Sequence, residues 1–433
     1  MFQVSHRKGE WNGLDWYLLW QGENAGPIIY APNLGIALAV GEKVRQKIVN
    51  HAQLPNVVAE HFSKREAKKR FPLVERPKAF HLAIGLTRNC TLYCDYCHAE
   101  ADKDIRTDPR LIDSAIEHAF KSAGETPRHI LSVSFAVGGE PTMNWPAFVN
   151  TIDKLRNLEG RQYCGVKRVY ISMTTNCYYG RNKREYVARN LDKLTLSLDG
   201  DRDVQDKHRP TRSGKGSYRL ISETVRYYLG SKEIDAALRA TVSDYSVNKL
   251  SDIVGAFFAE FGGGYTVAFE PLVAAGRGQV GFFGPPRNAD FATSFWAARE
   301  YGKSLGIRVI TSAANLNRLV GRYCGAMSIP SFTLCSNGAI TACHRDQEGD
   351  DYGYGSIEPE TGVISTDNRR IENNIQQTDL KEYCNSCPVK WHCAGDCPDL
   401  RKVGYDRCDI NLYLLYKQLQ ERLASDLPQC CYH

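Results

Sequence analysis

Cys90, Cys94 and Cys97 lie in the run Cys90-Thr91-Leu92-Tyr93-Cys94-Asp95-Tyr96-Cys97, with three residues between the first pair and two between the second. Thiolates are the soft ligands that iron–sulfur clusters select, and closed sites normally use four of them. A loop offering three can hold a cubane while its fourth iron stays open to a ligand from outside. The spacing also suits half of a zinc site, because a C-x2-C pair is common in zinc ribbons. A second feature is Gly138-Gly139-Glu140-Pro141, directly after the apolar run from Ile130 to Val137, which reads as a buried strand. Paired glycines let a backbone approach a ligand closely, although an ordinary tight turn has the same composition.

These motifs need a frame that brings strand ends together. Between residues 80 and 315 short β-rich runs alternate with longer amphipathic ones, the mark of a parallel α/β sheet. Strands are expected at Phe80–Leu86, His129–Val137, Arg168–Thr174, Lys193–Asp199, Ala236–Val242 and Tyr265–Leu272. The clearest helix runs from Pro109 to Ala123, with Thr107 or Asp108 as cap and Leu111, Ile112, Ala115, Ile116, Ala119 and Phe120 on one face. Six strand–helix repeats are fewer than the eight of a closed barrel, and in βα-barrels the chemistry sits at the C-terminal strand ends, where both motifs fall.

The cysteine spacing resembles the signature of the radical SAM superfamily, and Gly138-Gly139-Glu140 resembles its GGE motif. The resemblance implies a partial (β/α)6 barrel over residues 80–315. It also implies a 4Fe–4S cluster on Cys90, Cys94 and Cys97, whose open iron is chelated by S-adenosylmethionine (SAM). On that reading Gly138, Gly139 and Glu140 receive the SAM ammonium, and Thr175 and Asn176 at the end of the third strand bond the ribose hydroxyls. Ser197 and Arg209 hold the SAM carboxylate, a bidentate task that suits a guanidinium; Asp199 shares the strand face of Ser197.

The C-terminal third carries a second cysteine pattern. Cys324 is followed by Gly338 and Cys343, then by Cys384-x2-Cys387-x5-Cys393-x3-Cys397 and Cys408. It resembles the SPASM domain, the twin auxiliary-cluster module of peptide (RiPP) maturases and anaerobic sulfatase maturases, with Cys335 as an eighth thiol. The resemblance implies one auxiliary cluster on Cys324, Cys335, Cys343 and Cys397 and another on Cys384, Cys387, Cys393 and Cys408, three 4Fe–4S clusters in all. Two zinc sites are the alternative that spacing alone allows. Cys164 and Cys177 read as buried thiols, and Cys430-Cys431 as a redox tail or a chance pair.

Residues 1–79 read as a small β/α module, with strands at Trp16–Trp20, Pro27–Tyr30 and Ile36–Val40 and helices at Glu42–His51 and Val57–Phe71. Ser63–Lys69 and Pro77 mark a linker. Relatives place a leader-peptide-binding module at this end, so a sheet edge here either captures a leader by strand addition or simply shields the barrel. The expected order is thus 1–79 N-terminal module, 80–315 barrel and 316–433 SPASM domain with a tail. A net charge of +6 without a basic run or nucleic-acid module excludes DNA and RNA as expected partners. No run of 18 apolar residues and no signal-peptide layout occur, so no membrane association is expected and the cytoplasm is the expected compartment.

The expected activity is reductive SAM cleavage to a 5′-deoxyadenosyl radical that takes a carbon-bound hydrogen from a ribosomally made peptide, leaving a crosslink or an oxidised residue. A precursor peptide and an electron donor such as flavodoxin or ferredoxin are the implied partners. The alternative is an anaerobic sulfatase maturase making formylglycine. In that family an Asp follows the third auxiliary cysteine, whereas here His344 does, with Arg345 and Asp346 beyond. His344 and Asp346 are the candidate proton acceptors. A non-catalytic metal scaffold is the reading from another class, and SAM binding separates it from both.

Overall fold

The computed structural model describes residues 3–22, 25–51, 54–66, 78–101, 103–329 and 331–425. They divide into two compact units, one of Met1–Glu75, Ala313–Cys324 and Thr378–His433, the other of Arg76–Ser312 and Gly325–Gln377. The three consecutive domains read from the sequence are therefore regrouped, and strand pairing and burial show why.

In the first unit β1 (Ser5–Trp11), β2 (Leu14–Gln21), β3 (Ala25–Ala31) and β4 (Ile36–Ala39) form an antiparallel sheet in that order. Side chains alternate between its faces. Trp16, Leu18, Ile29, Ala31 and Ile36 cluster with Ile48 of the helix Glu42–His51 and with Val58 and Phe62 of the helix Asn56–Ser63. Tyr17, Leu19, Ile28 and Tyr30 are just as buried on the other face. There the Tyr30 ring stacks on His392 with centroids 5.9 Å apart, Lys390 Nζ reaches Asp15 at 2.6 Å, and the Tyr416 hydroxyl donates to the Gly26 carbonyl at 3.2 Å. C-terminal residues thus cover the second face, and the N-terminal segment joins them in one unit.

Two expectations change here. β1 was not expected, because the sequence of this edge strand, SHRKGEW, is polar and mostly exposed. The helix expected to reach Phe71 stops at Ser63 with Lys64 as C-cap; residues 67–77, including Pro77, and residues 426–433, including Cys430 and Cys431, lie outside the described residues.

The second unit is built on one large sheet. Its parallel strands are β5 (Phe80–Ile84), β6 (Ile130–Phe135), β7 (Arg168–Thr175), β8 (Lys193–Ser197), β9 (Asp235–Val242), β10 (Thr266–Pro271) and β11 (Arg308–Ile310). β12 (Phe332–Leu334) pairs parallel with β5 and leads into an antiparallel extension, β13 (Ala339–Thr341), β14 (Gly353–Ile357) and β15 (Ile364–Thr366). The order β11-β10-β9-β8-β7-β6-β5-β12-β13-β14-β15 leaves both edges open, as a partial barrel does. The six expected barrel strands are β5 to β10, and the β12 pairing ties residues 325–377 to the barrel.

Leu131, Val133, Phe135, Val169, Ile171, Leu194 and Leu196 are fully buried on one sheet face, while Ser132, Ser134, Ser172, Thr174 and Thr195 line the other half-exposed. The buried face packs helices such as Pro109–Gly124, where Asp108 caps the first turn by accepting the Arg110 backbone N–H at 2.8 Å. The expected apolar stripe of that helix is its buried face. Cys177 is buried as expected, but Cys164 is exposed on the turn Tyr163–Gly165, a correction: the turn lies between elements at the surface. No helix of the described residues is long and apolar enough to cross a membrane.

Candidate active site

The cysteine loop follows β5 and is held by backbone contacts from two other loops. Tyr93 N donates to Pro210 O at 2.8 Å and Asp95 N to His208 O at 3.1 Å. From the segment after β10, Arg277 N donates to Cys97 O at 3.0 Å and the Arg277 guanidinium to Cys94 O at 3.0 Å. These bonds fix where the three thiols stand before any ligand binds. Cys90, Cys94 and Cys97 lie within electrostatic reach of one another and of Arg209. Burial pushes the Cys94 thiol up to about 12 against the pull of Arg209, and burial raises Cys90 as well.

The Gly138-Gly139-Glu140 turn does something the sequence did not announce. Gly139 N donates to Thr87 O at 2.7 Å and Glu140 N to Asn89 O at 2.9 Å. A Cβ on Gly139 would stand 2.0 Å from Asn89 O, and Gly138 has φ of +81°, so both glycines serve a close approach to residues 87–89, which lead into the cysteine loop. The buried Glu140 carboxylate accepts from the Thr142 hydroxyl at 2.9 Å, the Thr175 hydroxyl at 3.0 Å and Asn176 N at 2.8 Å. Asn176 Nδ2 in turn donates to Cys90 Sγ at 3.3 Å and to Thr91 Oγ1 at 3.0 Å. One carboxylate therefore joins the ends of β6 and β7 to the cysteine loop. Burial outweighs these donors and raises its pKa from the usual carboxylate value. Glu140→Gln places an amide N–H₂ against donors and leaves at least one of them unmet, which costs about 1–3 kcal/mol. We expect a lower unfolding midpoint in the absence of SAM; an unchanged denaturation curve would leave Glu140 with a ligand-binding role only.

Beyond the end of β8, Asp199 is fully buried and accepts from Thr241 N at 3.0 Å, from His208 at 3.2 Å and from the Tyr96 hydroxyl at short range. Tyr96 also accepts from the Arg209 guanidinium at 3.0 Å. Burial works against the Arg209 charge, yet Cys94, Tyr96 and Asp199 hold its pKa well above the ordinary value. Its Nε is buried with no hydrogen-bond partner among the described residues. A fully charged guanidinium with an unused donor, beside three thiols, fits an anionic ligand group such as the SAM carboxylate. Ser197 sits at the end of β8, 9 % exposed. Sequence reasoning missed Tyr96 and Arg277; an aromatic hydroxyl within the cysteine loop was the available signal for the first.

The eight C-terminal thiols fall differently. Cys384, Cys387, Cys393 and Cys408, all in the first unit, line a single small cavity with Tyr383, Val389, Lys390, Gly395 and Asn411. Asn411 Nδ2 points at Cys393 Sγ from 3.5 Å. Behind the cavity Arg407 and Asp396 form a buried ion pair, with Nε to Oδ2 at 2.9 Å, that pins the turn between Cys393 and Cys397. Among the described residues no three His, Cys, Asp or Glu side chains close on a point as around a single metal ion. Four thiols ringing one cavity are a donor set that either zinc or an iron–sulfur cluster takes. Of the other expected set, Cys324 and Cys397 belong to the first unit, and Cys335 and Cys343 to the second.

The two candidate proton acceptors are placed unlike each other. Asp346 is buried and accepts from Thr341 Oγ1 at 3.0 Å, Tyr352 N at 2.8 Å and Gly349 N at 2.8 Å, which commits its carboxylate to the loop after β13. His344 is exposed in a cavity of about 160 Å³ lined also by His81, Ser134 and Thr333.

Residues 84–232 match the model of the Radical SAM superfamily. The chain is 22% identical over 381 residues to the serine-type anaerobic sulfatase-maturating enzyme of Klebsiella pneumoniae, covering 81% of this chain and 91% of that protein. The solved structure of native anSMEcpe with bound AdoMet superposes with a TM-score of 0.59 at 16% identity over 80% of this chain and 100% of that one. That of Streptococcus suis SuiB bound to precursor peptide SuiA gives 0.51 at 14% identity over 88% and 95%. The protein is an enzyme with a radical SAM domain, and SAM and a 4Fe–4S cluster go with that domain.

Proposed function

We propose that this enzyme modifies a ribosomally made peptide. When bound, SAM and the cluster supply the 5′-deoxyadenosyl radical; the chain positions, shields and selects. Cys90, Cys94 and Cys97 hold the cluster, the Gly138–Glu140 turn receives the SAM ammonium, Thr175 and Asn176 the ribose, and Ser197 with Arg209 the carboxylate. The observation that carries the reading is the buried Arg209 guanidinium with its unpartnered Nε beside the three thiols. The half-exposed polar face of β6 to β9 offers a lumen in which a target C–H can be oriented. β1 stands at an edge of the first unit's sheet and presents an unpaired strand side to an extended leader. The thiol ring at Cys384, Cys387, Cys393 and Cys408 is read as an auxiliary cluster.

Likeness to the Klebsiella protein favours formylglycine formation as the second reading. Against it stands His344 directly after Cys343, with the carboxylate of Asp346 already engaged in its loop. The experiment is anaerobic incubation of reduced enzyme, SAM and a peptide encoded beside its gene, read by tandem mass spectrometry. A crosslinked or oxidised residue that gives no aldehyde adduct with a hydrazine supports the first reading, and an aldehyde at Ser or Cys the second. Arg209→Lys should weaken SAM binding by roughly tenfold at unchanged iron content, because one ammonium cannot replace a two-pronged donor. Equal SAM affinity would return Arg209 to a purely structural role.

A further inference from the structure

A cluster that cleaves SAM must receive an electron from outside, and the outer side of its loop is an unusual surface. The segment after β10 that grips Cys94 and Cys97 carries Val280 and Phe282, each 87% exposed, and the Arg277 guanidinium lies 3.7 Å above the ring of Tyr93, itself 46% exposed. Phe282 is not a loose end: it meets Phe283 at 5.2 Å, Phe283 packs on Tyr245 at 5.5 Å and on His208 at 4.8 Å, and Phe283 N donates to Asp95 Oδ2 at 2.9 Å. The apolar side chains are thus presented from a braced loop. Solvent-exposed apolar groups on such a base mark contact surfaces.

The charge around them has one sign. The two segments that hold the cysteine loop, residues 208–215 and 276–287, contain Arg209, Arg212, Lys215, Arg277 and Arg287 and no Asp or Glu. Arg212 and Lys215 are exposed; Arg212 donates to Asn89 Oδ1 at 2.7 Å, and Arg287 pairs with Asp290 at 2.7 Å. Of the nearby carboxylates, half-buried Asp95 accepts from Phe283 N, while Asp244 accepts from Gly284 N at 3.2 Å and stays exposed.

Resting on the function proposed above, we propose that Tyr93, Val280 and Phe282, with the exposed Arg212 and Lys215 on the segment that holds the loop, form the docking surface for a small acidic one-electron carrier protein. With the cluster and SAM bound, each encounter would oxidise the carrier by one electron and deliver that electron to the cluster on Cys90, Cys94 and Cys97, matching the one electron that reductive SAM cleavage consumes. Backbone bonds from Arg277 and Phe283 to Cys97 and Asp95 make the path from this surface to the thiolates short. Positive charge steers the acidic partner, and the exposed apolar groups give the contact its lifetime.

The test uses the full-length reconstituted enzyme with SAM, mixed anaerobically with reduced flavodoxin or, in parallel, with dithionite. Val280→Ser with Phe282→Ser should slow flavodoxin oxidation about tenfold, as the loss of central apolar contacts does, and leave reduction by dithionite unchanged. Equal flavodoxin rates in variant and parent overturn the docking surface. If the pair of changes slows both reductants, the loop itself was disturbed and Lys215→Glu decides. A fall with flavodoxin alone that shrinks with added salt supports the surface, and no fall overturns it. If the parent yields no 5′-deoxyadenosine even with dithionite, the functional reading fails rather than the docking surface. A phenotype that instead follows protein concentration assigns the patch to a second copy of this chain and overturns the proposal.

Discussion

Replacing Cys90, Cys94 and Cys97 together by Ala removes close to four irons per chain and abolishes 5′-deoxyadenosine formation. The parent, with eleven cysteines at cluster spacing, holds about twelve irons if each of three cubanes fills. The geometry predicts a clean loss rather than a collapse. The loop is tied down through backbone groups, Tyr93 N to Pro210, Asp95 N to His208 and Arg277 to the carbonyls of Cys94 and Cys97, and none of these bonds uses a thiol. The side-chain bond that goes is Asn176 Nδ2 to Cys90 Sγ. Iron analysis with circular dichroism on the same sample checks both halves. Persistent SAM cleavage in a folded triple variant, or stoichiometric zinc in anaerobically prepared parent, contradicts the assignment.

The second large effect is an uncoupling. Cys387→Ala with Cys393→Ala should end peptide modification while SAM cleavage continues, because the thiol ring belongs to the first unit and the SAM site to the second. An auxiliary cluster acts after hydrogen abstraction, accepting an electron or shaping the peptide's surroundings, so its loss strands the substrate radical without silencing its source. Product peptide and 5′-deoxyadenosine are measured from one reaction. Parent-rate conversion by the soluble variant would strip this cluster of both roles, and an insoluble variant would show that the ring holds its unit together.

What could be read from residue order was whatever depends on local periodicity. β5 to β10 show as apolar runs because one face is covered by helices, and the helix Pro109–Gly124 shows because its cap and stripe lie within its own sixteen residues. The cysteine loop and the Gly-Gly-Glu turn were legible as motifs. Their working arrangement was not, since it rests on pairs far apart in the chain: Tyr96 with Asp199 and Arg209, or Glu140 with Thr175 and Asn176. The motif reading gave Gly138 and Gly139 to a ligand; residue order did not show that they also permit a close approach to Thr87 and Asn89. β1 was hidden by its exposure, and the pairing of β12 with β5 carries no local signal at all.

The regrouping of the chain has a consequence for its birth on the ribosome. Helices Glu42–His51 and Asn56–Ser63 can cover one face of the first sheet as soon as they emerge, but Tyr17, Leu19, Ile28 and Tyr30 on the other face wait for His392 and Tyr416. Tyr30 and His392 stand 362 residues apart, so at 5–20 residues per second the half-covered sheet stands open for about 18–72 s of synthesis. During that interval the nascent chain presents an apolar sheet surface with a free edge, a target for holding chaperones and for its neighbours on a polysome. Expression at low temperature, or with such a chaperone in excess, should therefore raise the soluble yield more than any change confined to the barrel.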